Sequence, residues 1–329
     1  MHPQAWPADL DHRGRRVVVI GSGATAVTLV PALATDAAHV TMLQRTPTYI
    51  LSAPAKDRIA NALRRALGDD RAHPLVRQKN IAVQRLLWRA CRRFPEQARR
   101  VIRWTNARQL PAGYPVDEHF SPPYDPWDQR LCLVPDGDFF AAIRSGSASV
   151  VTDRVRRFTE TGIELESGEE LEADIVVTAT GLELLPFGGI ELTVDGAPVD
   201  LTERLAYRGT MLDGVPNFAY AIGYTNASWT LKVGLLCTYF TRVLEHMDRL
   251  GYDACRPERP AGPVLTRPLL DFGAGYVRRA VDRLPKQGER APWVMSMNYY
   301  EDVALLRRAP VDDGVLRFER ARRATGVTV

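Results

Sequence analysis

Long apolar runs are absent from this 329-residue sequence. A helix that crosses a bilayer needs about 20 consecutive apolar residues, but the most apolar stretch, residues 17–34, is interrupted by two glycines and a proline. The sequence therefore predicts no membrane span. Low-complexity tracts are also missing and 45% of the residues are apolar. These features exclude a disordered chain or a coiled coil and favour a globular protein with two lobes.

Cysteine is scarce, with four in the whole sequence. The cysteines are Cys91, Cys132, Cys237 and Cys255. No two of them lie at the spacing of metal ligands, so we expect idle or buried thiols, no metal site and a reducing cytoplasmic location. The polar, proline-containing segment after Met1 does not resemble a secretory signal.

Lysine is also rare, and the basic charge is concentrated in one arginine-rich segment. Residues 56–108 contain 15 lysines and arginines against four acidic residues. Apolar residues recur in this segment near helical spacing, which predicts helices. A nucleic-acid-binding face is one interpretation, but no RNA- or DNA-binding motif accompanies the charge. We therefore favour a solvated surface, or a surface that docks on another protein segment.

The clearest motif of the sequence is a strand followed by a glycine turn and a helix. Four apolar residues, Val17–Ile20, predict a buried strand, and the pattern G-x-G-x-x-A follows them and opens an apolar helix. The residues of the turn are Gly21, Ser22, Gly23, Ala24, Thr25 and Ala26. In such a turn Gly21 permits the tight bend, Gly23 admits the pyrophosphate of a dinucleotide, and Ala26 allows close helix packing. The free N–H groups at the helix start attract the phosphate charge.

The end of the second strand, Val40–Leu43, indicates which dinucleotide binds. NAD-specific sites usually place a carboxylate there for the ribose hydroxyls, but here the sequence continues Gln44-Arg45-Thr46-Pro47. Arg45 can pair with a 2′-phosphate through two hydrogen bonds, and Thr46 can add a hydroxyl. The sequence therefore predicts NADPH rather than NADH. A surface arginine without a ligand is the alternative.

A second lobe is predicted downstream. Residues 150–181 read as a strand meander whose last strand begins at Asp174. Residues 215–224 predict another buried strand and residues 229–247 an amphipathic helix. The polar turn between them, residues 225–228, is a candidate second anion or cofactor site, with an ordinary turn as the alternative.

These motifs together resemble those of the flavin-containing monooxygenases, in particular the Baeyer–Villiger and related class B enzymes. The resemblance extends to about residue 245. The family fingerprint has the form F-x-G-x-x-x-H-x-x-x-W-P/D, and His2 and Trp6-Pro7 match its second half, while its Phe and Gly are absent. The resemblance assigns the glycine turn to NADPH and implies FAD as a second cofactor. His2 is expected to help orient the NADP domain rather than to transfer a proton.

The resemblance also suggests residues around the flavin. Thr180 and Gly181 are similar to the family's linker between cofactor domains, and Asn226 and Ser228 fall where its last strand–helix turn lies near the flavin. Arg130 falls, with Gln129 before it, where Baeyer–Villiger enzymes have an essential Lys-Arg pair.

Arg130 is therefore the candidate catalytic residue. The family's reaction passes hydride from NADPH to the flavin, which then activates O2 as an anionic oxygen species that attacks a small organic substrate. A permanently charged guanidinium would stabilise such an anion at a water-poor site. A structural arginine at the start of a strand is the alternative.

A second dinucleotide turn is what this sequence lacks relative to the family. Full-length relatives begin with a separate G-x-G-x-x-G unit for the ADP part of FAD, and here only residues 21–26 qualify. The expected fold is α/β, with a linker remnant (1–9), a Rossmann-like NADP-binding domain (10–181) that has a helical insertion (about 56–125), an incomplete FAD-binding lobe (182–250) and a helical C-terminal tail (251–329).

Three hypotheses follow. In the preferred one, the chain is an N-terminally truncated or split NADPH- and FAD-dependent monooxygenase whose missing FAD-binding segment is a partner. In the second, it is a stand-alone NADPH-binding remnant without oxygenase activity. In the third, the basic segment makes it an interaction module. The substrate, and the choice between Baeyer–Villiger oxidation and N- or S-oxygenation, stay open, because scattered loops form the walls of a pocket.

Overall fold

The computed structural model describes residues 1–129, 131–270 and 273–320, and the chain divides into two units, Met1–Leu182 and Glu183–Val329. The described strands of the first unit are β1 (Arg16–Ile20), β2 (His39–Gln44), β3 (Ile50–Ala53), β4 (Cys132–Pro135), β5 (Ala148–Thr152), β6 (Val155–Phe158), β7 (Gly162–Leu165), β8 (Glu170–Glu172) and β9 (Ile175–Thr178). Its described helices are α1 (Ala24–Leu33), α2 (Arg58–Leu67), α3 (Asp69–Arg93), α4 (Pro95–Ala107), α5 (Val116–Phe120) and α6 (Asp138–Arg144).

A four-stranded parallel sheet with the order β5-β2-β1-β9 organises the first unit. Successive side chains of a strand point to opposite faces. Val17 and Val19 therefore join the core formed with α1 and α6, whereas Val18 and Leu43 pack against Ile163 of β7. Both faces of the sheet are covered, which is why Val17, Val18 and Val19 of β1 are all apolar and buried. The α/β prediction with a parallel sheet is confirmed.

The arginine-rich segment forms helices, as predicted. Helices α2 to α5 lie between β3 and β4, and these two strands pair in parallel with Ile50 opposite Cys132. Apolar residues at helical spacing, among them Ile81 and Cys91, point inward and are buried. The helices are thus an insertion between two paired strands of the first unit.

The predicted meander over residues 150–181 is only partly correct. The antiparallel sheet consists of β6, β7 and β8, whereas β5 and β9 belong to the parallel sheet. The prediction missed β6 and β8, and β8 is a three-residue strand that follows the turn at Ser167-Gly168. Once β7 has paired with β6 and β8, β9 is free to pair in parallel with β1.

The second unit has short strands around one long helix. Its described strands are β10 (Thr193–Val194), β11 (Ala197–Pro198), β12 (Ala206–Tyr207), β13 (Met211–Leu212), β14 (Ala254–Pro257), β15 (Thr266–Pro268), β16 (Lys286–Gly288) and β17 (Leu316–Glu319). Its described helices are α7 (Trp229–Leu250), α8 (Gly275–Arg278), α9 (Tyr299–Asp302) and the π-helix Val303–Arg308. Helix α7 confirms the predicted amphipathic helix, and its Tyr239 and Val243 share a core with Leu306 and Leu316. Residues 183–250 and 251–320, which the sequence separated, thus pack together.

Two predictions about this unit are wrong. Residues 215–224 do not form a strand: Pro216 removes a ladder donor, and Asn217 has a φ of +55°. The segment instead makes isolated bonds such as Tyr220 N–H to the Thr210 carbonyl, 2.8 Å. The tail beyond residue 250 is not mainly helical either, because seven prolines, from Pro257 to Pro310, interrupt any long helix. Its described part folds into short strands and helical turns.

Candidate functional site

The predicted glycine turn joins β1 to α1 at the carboxyl end of the parallel sheet. Gly21 has a φ of +131°, which side chains rarely adopt, and a Cβ at this position would lie 2.3 Å from the carbonyl oxygen of Ala179. Its N–H donates to the carbonyl of Leu43, 2.8 Å away. Only glycine therefore lets the chain turn here between its two neighbouring strands.

The space around Gly23 is open, in contrast to the crowded space around Gly21. In the described part of the chain no atom lies within 4 Å of the position that a Cβ of Gly23 would take. Gly23 precedes α1 as its N-cap, and Ala24 and Thr25 after it are exposed, whereas Ala26 is buried. The first N–H groups of a helix have no intrahelical partner, and the first turn of α1 has no acidic residue. This exposed backbone suits a pyrophosphate.

The end of β2 presents one arginine to solvent. Gln44 is buried, and its amide donates to the carbonyl of His119 (2.8 Å) and to Oγ1 of Thr152 (2.9 Å). Arg45 is exposed and forms no ion pair with any acid among the described residues. The hydroxyl of Ser22 donates to the carbonyl oxygen of Thr46, 2.9 Å away. This bond links the glycine turn at residues 21–26 to the loop that presents Arg45.

The first residue forms hydrogen bonds to β9, the edge strand of the parallel sheet. The carbonyl oxygen of Met1 accepts bonds from N–H and Oγ1 of Thr178 (2.8 and 3.0 Å), and its ammonium donates to the carbonyl of Val176 (2.8 Å). Trp6 packs against the main core of the first unit. The segment with the two fingerprint residues is therefore fixed to the strand that precedes Gly181.

His2 contacts the predicted linker directly. Its Nδ1 accepts a bond from the N–H of Gln4 (3.2 Å), and its Nε2 lies 3.2 Å from the carbonyl oxygen of Gly181. An acceptor at Nδ1 favours the tautomer with its proton on Nε2, which donates to Gly181. Gly181 has a φ of +102°, and Thr180 before it is exposed. The structure thus brings His2, Thr180 and Gly181 together.

Arg130, the candidate catalytic residue, lies outside the described residues. The segment immediately before it is fixed to the helical insertion. Asp125 pairs with Arg99 of α4 (2.7 Å), and Asp128 pairs with Arg92 of α3 (2.6 Å). Part of the arginine excess in the insertion thus neutralises acids of this loop.

Asn226 and Ser228 lie at the start of α7 in the second unit. The amide nitrogen of Asn226 donates to the carbonyl of Met297, 3.1 Å away. Its Oδ1 is buried and has no hydrogen-bond partner among the described residues. Ser228 is the N-cap of α7, but its hydroxyl lies 2.9 Å from Oγ1 of Thr230 instead of capping the helix. The turn therefore keeps unused hydrogen-bonding capacity.

Sequence reasoning missed a buried charged cluster next to this turn. Lys232 and Asp302 are almost fully buried and pair at 3.0 Å, and the hydroxyl of Tyr224 donates to the same carboxylate at 2.6 Å. The ammonium of Lys232 also donates to the carbonyl of Ser296. Burial lowers the pKa of Lys232 and raises that of Asp302, while each charge opposes the other's shift. A signal existed: Lys232 shares a helix face with Leu235, Leu236 and Tyr239.

No family model matches the chain, but individual relatives do. The FAD-containing monooxygenase EthA of Mycobacterium tuberculosis (strain H37Rv) is 54% identical over 328 residues, which are 99% of this chain and 67% of EthA. EthA of Mycolicibacterium smegmatis is 51% identical over 329 residues, 100% of this chain and 67% of the relative.

Solved structures show the same fold at lower identity. Oxidized steroid monooxygenase bound to NADP matches 97% of this chain and 70% of its own with a TM-score of 0.67 and 18% identity. At that identity the match concerns the fold alone, whereas the EthA relatives align with 99% and 100% of this chain at 54% and 51% identity. The predicted resemblance is confirmed: the chain belongs to the family of FAD-containing monooxygenases.

Proposed function

We propose that this chain supplies the NADPH-binding unit and a second unit of a flavin-dependent monooxygenase that transfers one oxygen atom of O2 to an organic substrate. Two observations on the cofactor site carry the proposal. The backbone at Gly23 is open, and Arg45 is exposed without an acidic partner among the described residues. The family membership agrees with this chemistry.

The residues of the first unit fit NADPH. The N–H groups at the start of α1 would bind the pyrophosphate, with Gly21 and Gly23 keeping the approach clear. Arg45, with Thr46 beside it, would bind the 2′-phosphate. The Ser22–Thr46 bond holds these two subsites in a fixed relation. His2 would set the direction of the chain at Thr180 and Gly181 through its bond to the Gly181 carbonyl.

The described residues would supply only part of a binding site for FAD. Among the described residues only the turn at 21–26 joins a strand to a helix in the G-x-G-x-x-A pattern. Asn226, with its buried unpaired Oδ1, and Ser228 are the residues here that would face the flavin. We propose that a partner segment binds the ADP part of FAD. When both cofactors are bound, NADPH supplies a hydride to the flavin and the reduced flavin activates O2.

The remaining roles follow from charge. Arg130 would hold negative charge that develops on oxygen during transfer. The substrate would be a small organic molecule, with Baeyer–Villiger oxidation and N- or S-oxygenation both open.

None of the described helices has the length and apolar content to cross a bilayer. Cys91, Cys132, Cys237 and Cys255 form no disulfide, and we propose a cytoplasmic location.

Purification of the chain with measurement of flavin absorbance, NADPH binding and NADPH oxidation tests this proposal. We expect NADPH binding without bound flavin, and NADPH oxidation only after coexpression with the part of EthA that the alignment leaves unmatched. Tight NADPH binding without oxidation even in that coexpression would favour the stand-alone NADPH-binding protein. A flavin-containing, NADPH-oxidising protein from this chain alone would contradict the proposed partner segment.

A further inference from the structure

Helix α3 of the insertion has an exposed apolar stripe. The helix has 25 residues, and its buried Ile81 and Cys91 define the inner side, while Ala72 in its first turn is buried as well. On the other side Leu75, Val83 and Leu86 have exposed fractions of 52%, 57% and 70%. Single exposed apolar residues are ordinary on a protein surface. Here, however, Val83 lies about two helical turns and Leu86 about three turns after Leu75, on one face of the helix. Such a stripe on a water-facing helix indicates a surface that something else covers.

Arginines lie along the same stripe. Arg71 is four residues before Leu75, and Arg89 and Arg93 are three and seven residues after Leu86, so all three share its side of the helix. All three are exposed, and none forms an ion pair with an acid among the described residues. We define the outer α3 face as Arg71, Leu75, Gln78, Ala82, Val83, Leu86, Arg89 and Arg93. It contains no acidic residue.

Other arginines of the insertion form ion pairs within the first unit. Arg92 and Arg99 bind Asp128 and Asp125, as described above, and Arg103 of α4 binds Asp117. These pairs account for acids of the neighbouring loop and of α5. The cations of the outer α3 face are therefore left for a ligand outside the unit.

Helix α4 also combines exposed apolar side chains with an arginine on its exposed side. Val101 and Trp104 have exposed fractions of 58% and 56%, and the guanidinium of Arg108 lies 4.5 Å from the centre of the Trp104 ring. Exposed aromatic and aliphatic side chains next to arginines are the composition of helices that lie in a membrane interface.

We propose that the outer α3 face is a peripheral docking surface for an anionic lipid bilayer. At about 1.5 Å per residue, α3 offers a line of about 37 Å parallel to such a surface. The leucines and Val83 would enter the boundary between headgroups and acyl chains, and the arginines would pair with lipid phosphates. Docking of this kind needs both features together, a basic charge and exposed apolar side chains.

Other occupants fit this surface less well. A nucleic acid would neutralise the arginines but would not bury Leu75 and Leu86. A second copy in a two-fold interface would place Arg71, Arg89 and Arg93 close to the same arginines of its partner. An anionic bilayer satisfies the cations and the apolar stripe at once. Loss of vesicle binding on coexpression with the unmatched part of EthA would instead assign the outer α3 face to the proposed partner segment. The proposal does not depend on NADPH binding, since the phosphate loop contributes nothing to this face.

Cosedimentation of the full chain with lipid vesicles tests the proposal. We expect binding to vesicles that mix phosphatidylcholine with phosphatidylglycerol, weak binding to phosphatidylcholine alone, and release by salt. Arg89→Gln should weaken binding about fivefold, since each basic residue near an anionic surface contributes about 1 kcal/mol. The double variant Leu75→Gln/Leu86→Gln should weaken it at least about tenfold, from the lost apolar burial.

Matched controls lie elsewhere on the first unit. Phe158 of β6 is 60% exposed and Arg13 is an exposed arginine, so Phe158→Gln and Arg13→Gln should bind vesicles like the parent chain. All variants should keep their melting temperature and NADPH affinity, because the changed side chains are exposed and remote from the phosphate loop. Equal binding to neutral and anionic vesicles, unchanged binding of the α3 variants, or preferential binding to duplex DNA would each overturn the proposal.

Discussion

The hydroxyl of Ser22 donates a hydrogen bond to the backbone carbonyl of Thr46 across 2.9 Å. The bond connects the loop after β1 to the loop after β2, so it fixes the proposed pyrophosphate subsite relative to Arg45. We expect Ser22→Ala to weaken NADPH binding about two- to tenfold, from the loss of about 0.5–1.5 kcal/mol. Calorimetric titration measures this. Ser145→Ala, which removes a hydroxyl bond to the carbonyl of Ala142, should leave the affinity unchanged, and an equal effect of both variants would contradict the role of Ser22.

Two glycines of the same loop should respond differently to alanine. Gly21→Ala should lower the unfolding free energy by more than about 2 kcal/mol, because its Cβ would collide with Ala179 at a positive φ. Gly23→Ala should leave the melting temperature unchanged and weaken NADPH binding, because its Cβ would enter the space that the pyrophosphate needs. Urea denaturation and NADPH titration of both variants distinguish the two effects. A stable Gly21→Ala protein, or a Gly23→Ala protein with parental affinity, would argue against the proposed geometry.

The Arg16–Asp174 pair predicts an acid dependence of stability. Hydrogen bonds from Arg16 lower the pKa of Asp174 from 3.8 to about 2. A lowered carboxyl pKa adds stability above the pKa of the unfolded chain, and that stability is lost as the pH falls from about 4 towards 2. Asp174→Asn should therefore lower the urea midpoint of unfolding at neutral pH. The midpoint of this variant should also decrease less than that of the parent chain between about pH 4 and pH 2. Arg16→Gln should do the same, and a pH profile unchanged in both variants would exclude the pair.

The buried pair of Lys232 and Asp302 predicts a large effect in the second unit. Lys232→Met should lower the unfolding free energy by about 3–5 kcal/mol, because it leaves the Asp302 carboxylate buried without its cation. Lys232→Met/Asp302→Leu should recover part of that loss. The control is the half-exposed pair of Arg256 and Glu319, where Arg256→Met should cost at most about 1 kcal/mol. Similar costs for Lys232→Met and Arg256→Met would contradict the structural role of the buried pair.

The sequence predicted the strand, glycine turn and helix at the start of the first unit because their determinants are local. A strand of apolar residues, a G-x-G-x-x-A turn and a helix start lie within about 15 consecutive residues, and each has a specific backbone requirement. Arg45 and Thr46 were singled out for the same reason, since they directly follow the next strand, and their binding of the 2′-phosphate stays a prediction. The contact of His2 with Gly181 joins residues 179 positions apart, and only the family resemblance drew attention to both.

The second unit was harder to predict because its contacts are between distant segments. Apolar residues at 215–224 suggested a strand, yet a strand requires a partner that the pattern itself does not reveal. Lys232 reads as a polar interruption of α7 until Asp302 and Ser296, more than 60 residues away, are placed beside it. Nearby prolines and short segments concealed β14 and β17, which pair across the tail.

Comparison of NADPH and NADH binding by the purified chain and by Arg45→Ala tests the central claim most directly. We predict that the chain binds NADPH about 10- to 100-fold more tightly than NADH, the effect of about 1.5–3 kcal/mol from charged hydrogen bonds to the 2′-phosphate. Arg45→Ala should remove this preference without weakening NADH binding, and Arg13→Ala should retain it. Equal affinity for the two dinucleotides, or an unchanged preference in Arg45→Ala, would contradict the assignment of the site to NADPH.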